Sequence, residues 1–209
     1  MKKIALTGLV LLLLNAGFAS AQNISGVLSG TLGPGTYIVV GDCRINAGDS
    51  LVVQPGTTFL HASSYEWLIY GKLIAVGTET DSIRFLRQIP DTLYDWRGLR
   101  FYTASSAASI LEYCVIDHCS NPTRPGGGIY CNASGITIRH STVSNCRAGD
   151  GGGIYALSSP IYVEHCTIFG NTTVNGPTAD GNGGGIFLMQ SNGANVRYTE
   201  LYNNHSSGA

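Results

Sequence analysis

Three stretches of this chain carry nearly the same wording: GGGIYCNASGITIRHSTVSNC at 126–146, GGGIYALSSPIYVEHCTIFGN at 151–171 and GGGIFLMQSNGANVRYTELYNN at 183–204. Aligning Gly98, Gly128, Gly153 and Gly185 spaces the copies by 30, 25 and 32 residues, and the anchors Ile116, Val143, Ile168 and Leu201 give 27, 25 and 33. A third column reads Leu111, Ile138, Val163, Val196, and a fourth reads Cys119, Cys146, Asn171, Asn204. A unit this short cannot bury an apolar face alone, so each copy must pack on the next.

Within each copy the apolar positions alternate over short runs such as Ile136-Thr137-Ile138 and Ile161-Tyr162-Val163, with Gly and Asn between the runs. This is the periodicity of strands and turns. Two-helix repeats need longer helical runs and far less Gly than the 28 present here, and leucine-rich repeats need a different spacing of Leu and Asn. The expected class is all-β, a single-stranded parallel β-helix of about seven coils, in which every residue lies about 4.8 Å above its equivalent in the preceding coil. Inward columns then stack like on like, and the amides of Asn171 and Asn204 are placed to bond each other and the turn backbone. The triple glycines read as sharp turns that need positive φ and leave no room for a Cβ.

At the N-terminus, Lys2 and Lys3 precede an apolar run from Ile4 to Leu14 and the small residues Ala19-Ser20-Ala21. Residues 1–21 are therefore expected to be a signal peptide, which makes the protein exported, either secreted or held at a cell surface or outer membrane. The run is too short for a spanning helix, and no later segment reaches the roughly 18 apolar residues a span requires. Without the signal the chain has 10 basic residues against 13 acidic, a net charge of -3. That balance argues against nucleic acid as a partner, since phosphate binding needs a clustered basic surface. The six cysteines track the repeat and form no CxxC pair, so they read as buried thiols.

The GGGIY…T-I/V…N wording of 98–209 resembles the right-handed parallel β-helix family, in particular bacterial exported proteins with parallel-β-helix or polymorphic outer-membrane-protein repeats. The upstream segment DSLVVQPGTTFLHASSYEWLIYGKLIAVGTETDSIRF and the DWRGLRF beyond it resemble the opening coils of such proteins. The resemblance implies a right-handed solenoid with opening coils over 22–97 and repeats over 98–209. Residue 209 falls within a coil, so the chain reads as a fragment of something longer, with an open C-terminal coil available for self-association.

The resemblance includes polysaccharide lyases and glycoside hydrolases, which need clustered acids. The column that a cluster would occupy reads Glu112, Arg139, Glu164, Arg197. Alternating signs at strand spacing make a structural ladder of favourable cross-strand pairs and leave no spare carboxylate. Tyr113, His140, His165 and Tyr198 form a neighbouring column, read as a half-buried polar ladder. Tyr130, Tyr155 and Trp96 are candidate stacking platforms for a sugar. No cofactor is expected, and calcium is the one ion that Asp150 and Asp180 could help to hold beside glycine-rich turns. The function these readings favour is a non-catalytic, adhesin-like scaffold contacting extracellular glycans or surface proteins. The alternative is a carbohydrate-active enzyme whose acids lie partly outside this segment.

Overall fold

The computed structural model describes residues 21–89, 95–103, 108–175 and 180–208; the expected signal peptide lies outside them, apart from Ala21. All regular structure among the described residues is β, and every strand pair is parallel. The strands wind as a solenoid with three faces. The first face is a seven-stranded sheet running from Gly30–Leu32 through Ser50–Val53, Lys72–Val76, Ile110–Glu112, Thr137–Arg139 and Tyr162–Glu164 to Asn195–Arg197. Its seven strands match the seven coils expected from the repeat. The second face includes Thr57–His61, Ile83–Arg87, Cys114–Asp117, Thr142–Ser144, Thr167–Phe169 and Glu200–Tyr202. The third includes Trp67–Ile69, Leu99–Tyr102, Ile129–Asn132, Ile154–Leu157 and Ile186–Met189. The 11-residue strand Gly35–Ile45 bends round a corner and pairs on both the second and third faces, which joins them into one 13-stranded sheet.

The register reproduces the sequence columns. Leu111, Ile138, Val163 and Val196 are consecutive partners on the first face. Ile116, Val143, Ile168 and Leu201 are consecutive partners on the second, continuing upstream through Phe85 to Phe59 and Tyr37. Side chains alternate across a strand, so these columns fill the interior as far as Val163 and Ile168, while Val196 and Leu201 in the last coil are exposed. Cys43 and Cys131 belong to the same scheme, sitting in the third-face inward columns beside Trp67 and Phe101. All six thiols are free and buried, and burial pushes Cys43 up to about 12. They act here as small apolar side chains.

The corners obey a two-residue rule. A residue at positive φ turns the chain, and the next residue is a small one facing inward: a buried Cys, or an Asn, Ser or Thr that bonds the coil below. At the corner that ends the second face, the turning residues are His118, Asn145, Gly170 and Asn203, with φ of 54°, 53°, 64° and 52°. The residues after them are Cys119, Cys146, Asn171 and Asn204. Asn171 Oδ1 accepts the Cys146 amide N–H at 3.0 Å, and Asn204 Oδ1 accepts that of Asn171 at 3.1 Å. The Asn171 side chain also donates to Asn204 Oδ1 at 2.9 Å and to the Val143 carbonyl at 3.0 Å. Hydroxyls do the same work elsewhere: Ser141 accepts from Cys114 N–H, Ser159 from Ser134 N–H and Ser191 from Ser159 N–H, at 2.9 to 3.0 Å. Each coil thus satisfies buried donors that the preceding coil's bend leaves unpaired.

The glycine triplets divide their labour. Only the first of each, Gly126, Gly151 and Gly183, has positive φ. The other two are small because coils touch there: a Cβ on Gly128 would meet the Gly153 carbonyl oxygen at 2.8 Å, and one on Gly153 the Gly185 oxygen at 2.6 Å.

The aromatic end of the core is tied together by one imidazole. His61 is buried, its Nδ1 bonds the Leu86 carbonyl at 2.8 Å, and its Nε2 accepts the Trp67 indole N–H at 3.0 Å. Trp96 stacks on it with ring centroids 3.9 Å apart. These partners fix a neutral ring with the proton on Nδ1, and burial lowers its pKa to about 3. Above pH 6.5 the ring is neutral folded and unfolded. As pH falls from about 6.5 toward 3 the unfolded chain takes up a proton that the folded one refuses, so stability declines by up to about 1.4 kcal/mol per pH unit. Urea unfolding at several pH values should show that slope, reduced in His61→Gln. Asn171→Ala should cost about 3 kcal/mol in the same assay, because it strands the Cys146 N–H and the Val143 carbonyl inside the solenoid.

Candidate functional site

The corner between the first and second faces carries an exposed ladder of rings. Tyr113, His140, His165 and Tyr198 all turn the chain at φ between 46° and 52°, which throws each side chain outward at the same place in its coil. The rings stack along the solenoid axis at 4.8, 5.1 and 5.0 Å between centroids, tilted by no more than 12°. Their faces are consumed by one another, so the ladder offers edges: phenol hydroxyls and imidazole nitrogens repeating every 5 Å or so. Thr78, Glu79 and Ser82 overhang it from the Gly77–Ser82 loop, and with Thr142 and Val115 they enclose a groove of about 510 Å³. The loop is held by a turn in which Thr78 Oγ1 accepts the Asp81 N–H at 3.0 Å. Two bonds of about 2.1 Å from nitrogen to a shared metal cannot bridge parallel rings 5.1 Å apart, so the imidazole pair does not chelate in this arrangement.

The charge ladder lies one residue before the rings. Glu112 pairs in register with Arg139, Arg139 with Glu164 and Glu164 with Arg197. Glu164 is the hub: Arg197 Nε lies 2.9 Å from one carboxylate oxygen and Arg139 Nε 3.5 Å from the other. Both arginines are about half exposed, which keeps each pair weak.

The second face adds a constellation that column reading missed. Asp117 accepts hydrogen bonds from Ser144 Oγ at 2.7 Å and Asn145 Nδ2 at 2.8 Å on one oxygen, and its other oxygen is bonded by His118 Nδ1. Burial pushes this carboxyl up, but the three hydrogen bonds and the charge of His118 outweigh it and hold the pKa below the usual value. The Ser144 hydroxyl points at the acid and not at the imidazole, so the three do not form a nucleophilic relay. The available signal was His118, an imidazole where the later coils place Asn145, Gly170 and Asn203.

The other expected residues fall elsewhere. Trp96 is fully buried, its faces taken by His61 and Phe85 and its indole N–H by the Asp117 carbonyl, so it is no platform. Tyr130 and Tyr155 point outward from the third face but are only 9% and 7% exposed. They stack on each other at 5.6 Å, and the Arg100 guanidinium covers Tyr130 at 4.3 Å, which corrects their expected role as sugar platforms. Asp150 accepts the Asn182 N–H at 2.8 Å, fastening one coil to the next, whereas Asp180 is exposed. Among the described residues no group of three His, Cys, Asp or Glu side chains is placed to hold a metal ion.

A solenoid of parallel three-faced coils with this inward patterning defines a parallel β-helix protein. The family of the right-handed β-helix region matches residues 92–209, more than half of the chain, and the chain belongs to that family. No curated protein and no solved structure matches it. Among the described residues no helix is long and apolar enough to cross a membrane.

Reversing the hub should test the ladder. Glu164→Arg sets three like charges in successive coils, and we expect urea unfolding to show a loss of about 1 to 2 kcal/mol at low salt that shrinks as salt is added. A loss independent of salt would assign the effect to packing.

Proposed function

We propose that the protein is an exported or cell-surface scaffold, non-catalytic over these residues, that contacts extracellular glycans along its outer surface. The observation that carries this reading is the exposed Tyr113–His140–His165–Tyr198 ladder with its overhanging loop. An extended polymer lying along the axis meets hydrogen-bonding edges at a constant interval, and Thr142, Ser82 and Glu79 add donors and acceptors to match sugar hydroxyls. The rigidity of stacked coils keeps that interval fixed, so little ordering entropy is lost on binding.

Glu79 is the one acid that lines the groove, and the carboxylates of the neighbouring ladder and second face support binding over turnover. Glu164 is engaged by two arginines, and Asp117 is saturated by three donors. Glycoside hydrolysis needs two carboxyls about 5 to 9.5 Å apart, one of them protonated. A carbohydrate-active enzyme is the second reading, and the Asp117–His118 pair is the observation in its favour, since it would hold His118 as a base with Nε2 outward.

Glycan arrays probed with the wild-type chain should show binding that falls at least tenfold in a His140→Ala/His165→Ala variant of unchanged β circular dichroism. Incubation with polygalacturonate or alginate, with and without calcium, should release no reducing or unsaturated ends. Release that disappears in Asp117→Asn or His118→Ala would replace this reading with the enzymatic one. Binding untouched by the double variant would move the contact surface away from the ladder.

A further inference from the structure

The first face turns two columns outward over its last four coils. One is the charge ladder Glu112, Arg139, Glu164, Arg197, and the other, two residues earlier in each strand, reads Ile110, Thr137, Tyr162, Asn195. Tyr162 leaves 53% of its surface exposed, and the arginines in the coils before and after it are about half exposed. We propose that this face binds a second copy of the chain, the two solenoids lying face to face with their axes antiparallel. The inference concerns a protein partner and does not depend on the ring-ladder reading.

The charge order selects both the partner and its direction. Reversed, the ladder is its own complement. A two-fold axis running along the strands, between the coils of Arg139 and Glu164, therefore sets Glu112 opposite the partner's Arg197 and Arg139 opposite the partner's Glu164, with each contact made twice. A parallel pair related by a two-fold sets each rung against its own copy, so the ladders meet like on like, which is costly. Spacing is the second constraint. The charges repeat at the coil pitch of about 4.8 Å, which another parallel solenoid matches rung for rung. The ladder also has loose ends. Glu164 is held by both arginines, at 2.9 and 3.5 Å, whereas among the described residues the Glu112 carboxylate makes no ion pair. A guanidinium carries five N–H donors, so Arg139 and Arg197 can keep their bonds to Glu164 while taking a carboxylate from the partner.

The same axis sets Tyr162 opposite the partner's Thr137, which covers the exposed ring with a methyl-bearing side chain and leaves its hydroxyl at the rim. Lys72 is the only other charged residue in the seven strands, and it lies in the coil before the overlap, so no further charge enters the contact. An overlap of four coils is short, which puts the interface at the low end of the size range and makes the association weak and reversible. The groove beneath the Gly77–Ser82 loop is bounded by Val115 and Thr142 of the second face, so a partner on the first face leaves it open.

The test is sedimentation equilibrium of the whole chain, which should show a monomer–dimer equilibrium that weakens as salt rises. Glu112→Arg and Arg197→Glu should each weaken the dimer at least tenfold, because each sets like charges at both symmetric contacts. Combined, the two substitutions restore opposite charges across the interface, and the double variant should regain most of the wild-type affinity. Within one chain the double variant has more like-charged neighbours than either single one, so recovery reports contact between chains. Tyr162→Ala, which touches no ion pair, should weaken the dimer at least threefold with unchanged β circular dichroism. A wild-type chain that stays monomeric, or a double variant as weak as the single ones, would overturn the proposal. So would a dimer indifferent to Glu112→Arg, since that result assigns association to the open edge at Asn195–Arg197, three coils away.

Discussion

Everything in this molecule depends on parallel stacking at a fixed strand spacing. When each residue sits directly above its equivalent, its nearest neighbour is a copy of its own chemistry. Apolar residues gain from that at once, as the Leu111, Ile138, Val163, Val196 column does. Polar residues gain only if they can both donate and accept, or if they alternate. Asparagine satisfies the first condition, and the Asn171–Asn204 pair uses it fully. Glutamate and arginine satisfy the second, so Glu164 stands between Arg139 and Arg197. The same constraint explains the corners. A bend breaks the ladder, the break exposes an N–H, and the coil above answers with a hydroxyl or amide.

The columns were legible in the sequence because stacking converts a three-dimensional contact into a fixed sequence interval. Register, inward face, asparagine ladder and charge ladder could all be read from the anchors at intervals of 25 to 33 residues. What escaped was whatever does not repeat. Tyr130 and Tyr155 alternate outward as the pattern says, yet Arg100 and the glycine turns cover them, and periodicity carries no information about what lies on top of a sheet. Trp96 lies beside Cys119, outside the three main faces, and its burial against His61 is a contact between unlike residues that no column predicts. Asp117 was missed for the same reason, since its partners Ser144, Asn145 and His118 occupy three different columns.

Regularity also limits what the surface can do. A ladder presents one chemistry many times, which suits an extended polymer and gives little purchase on a small molecule or a single reacting bond. Catalysis needs unlike groups converging on one atom, with their pKa values pushed apart. The ring ladder, with His140 and His165 parallel to within 2°, is the opposite arrangement. Where unlike groups do converge, at Asp117, hydrogen bonds stabilise the charged carboxylate and leave it no proton to give.

Concave sites in such a solenoid must come from departures from the repeat. The loop from Gly77 to Ser82 is one departure, and it overhangs the ring ladder to make the first groove. The detour from Asn121 to Pro125 is another, and it brings Arg124 and Asn121 beside Arg97 from the preceding coil. Between Gly128 and Gly153 the copy is shortest, at 25 residues, and contributes only rungs to the ladders. The columns therefore supply a rigid ruler, and the insertions decide what is measured against it. A change in a column alters stability along the whole axis, whereas a change in an inserted loop alters one site and leaves the coils beneath it folded.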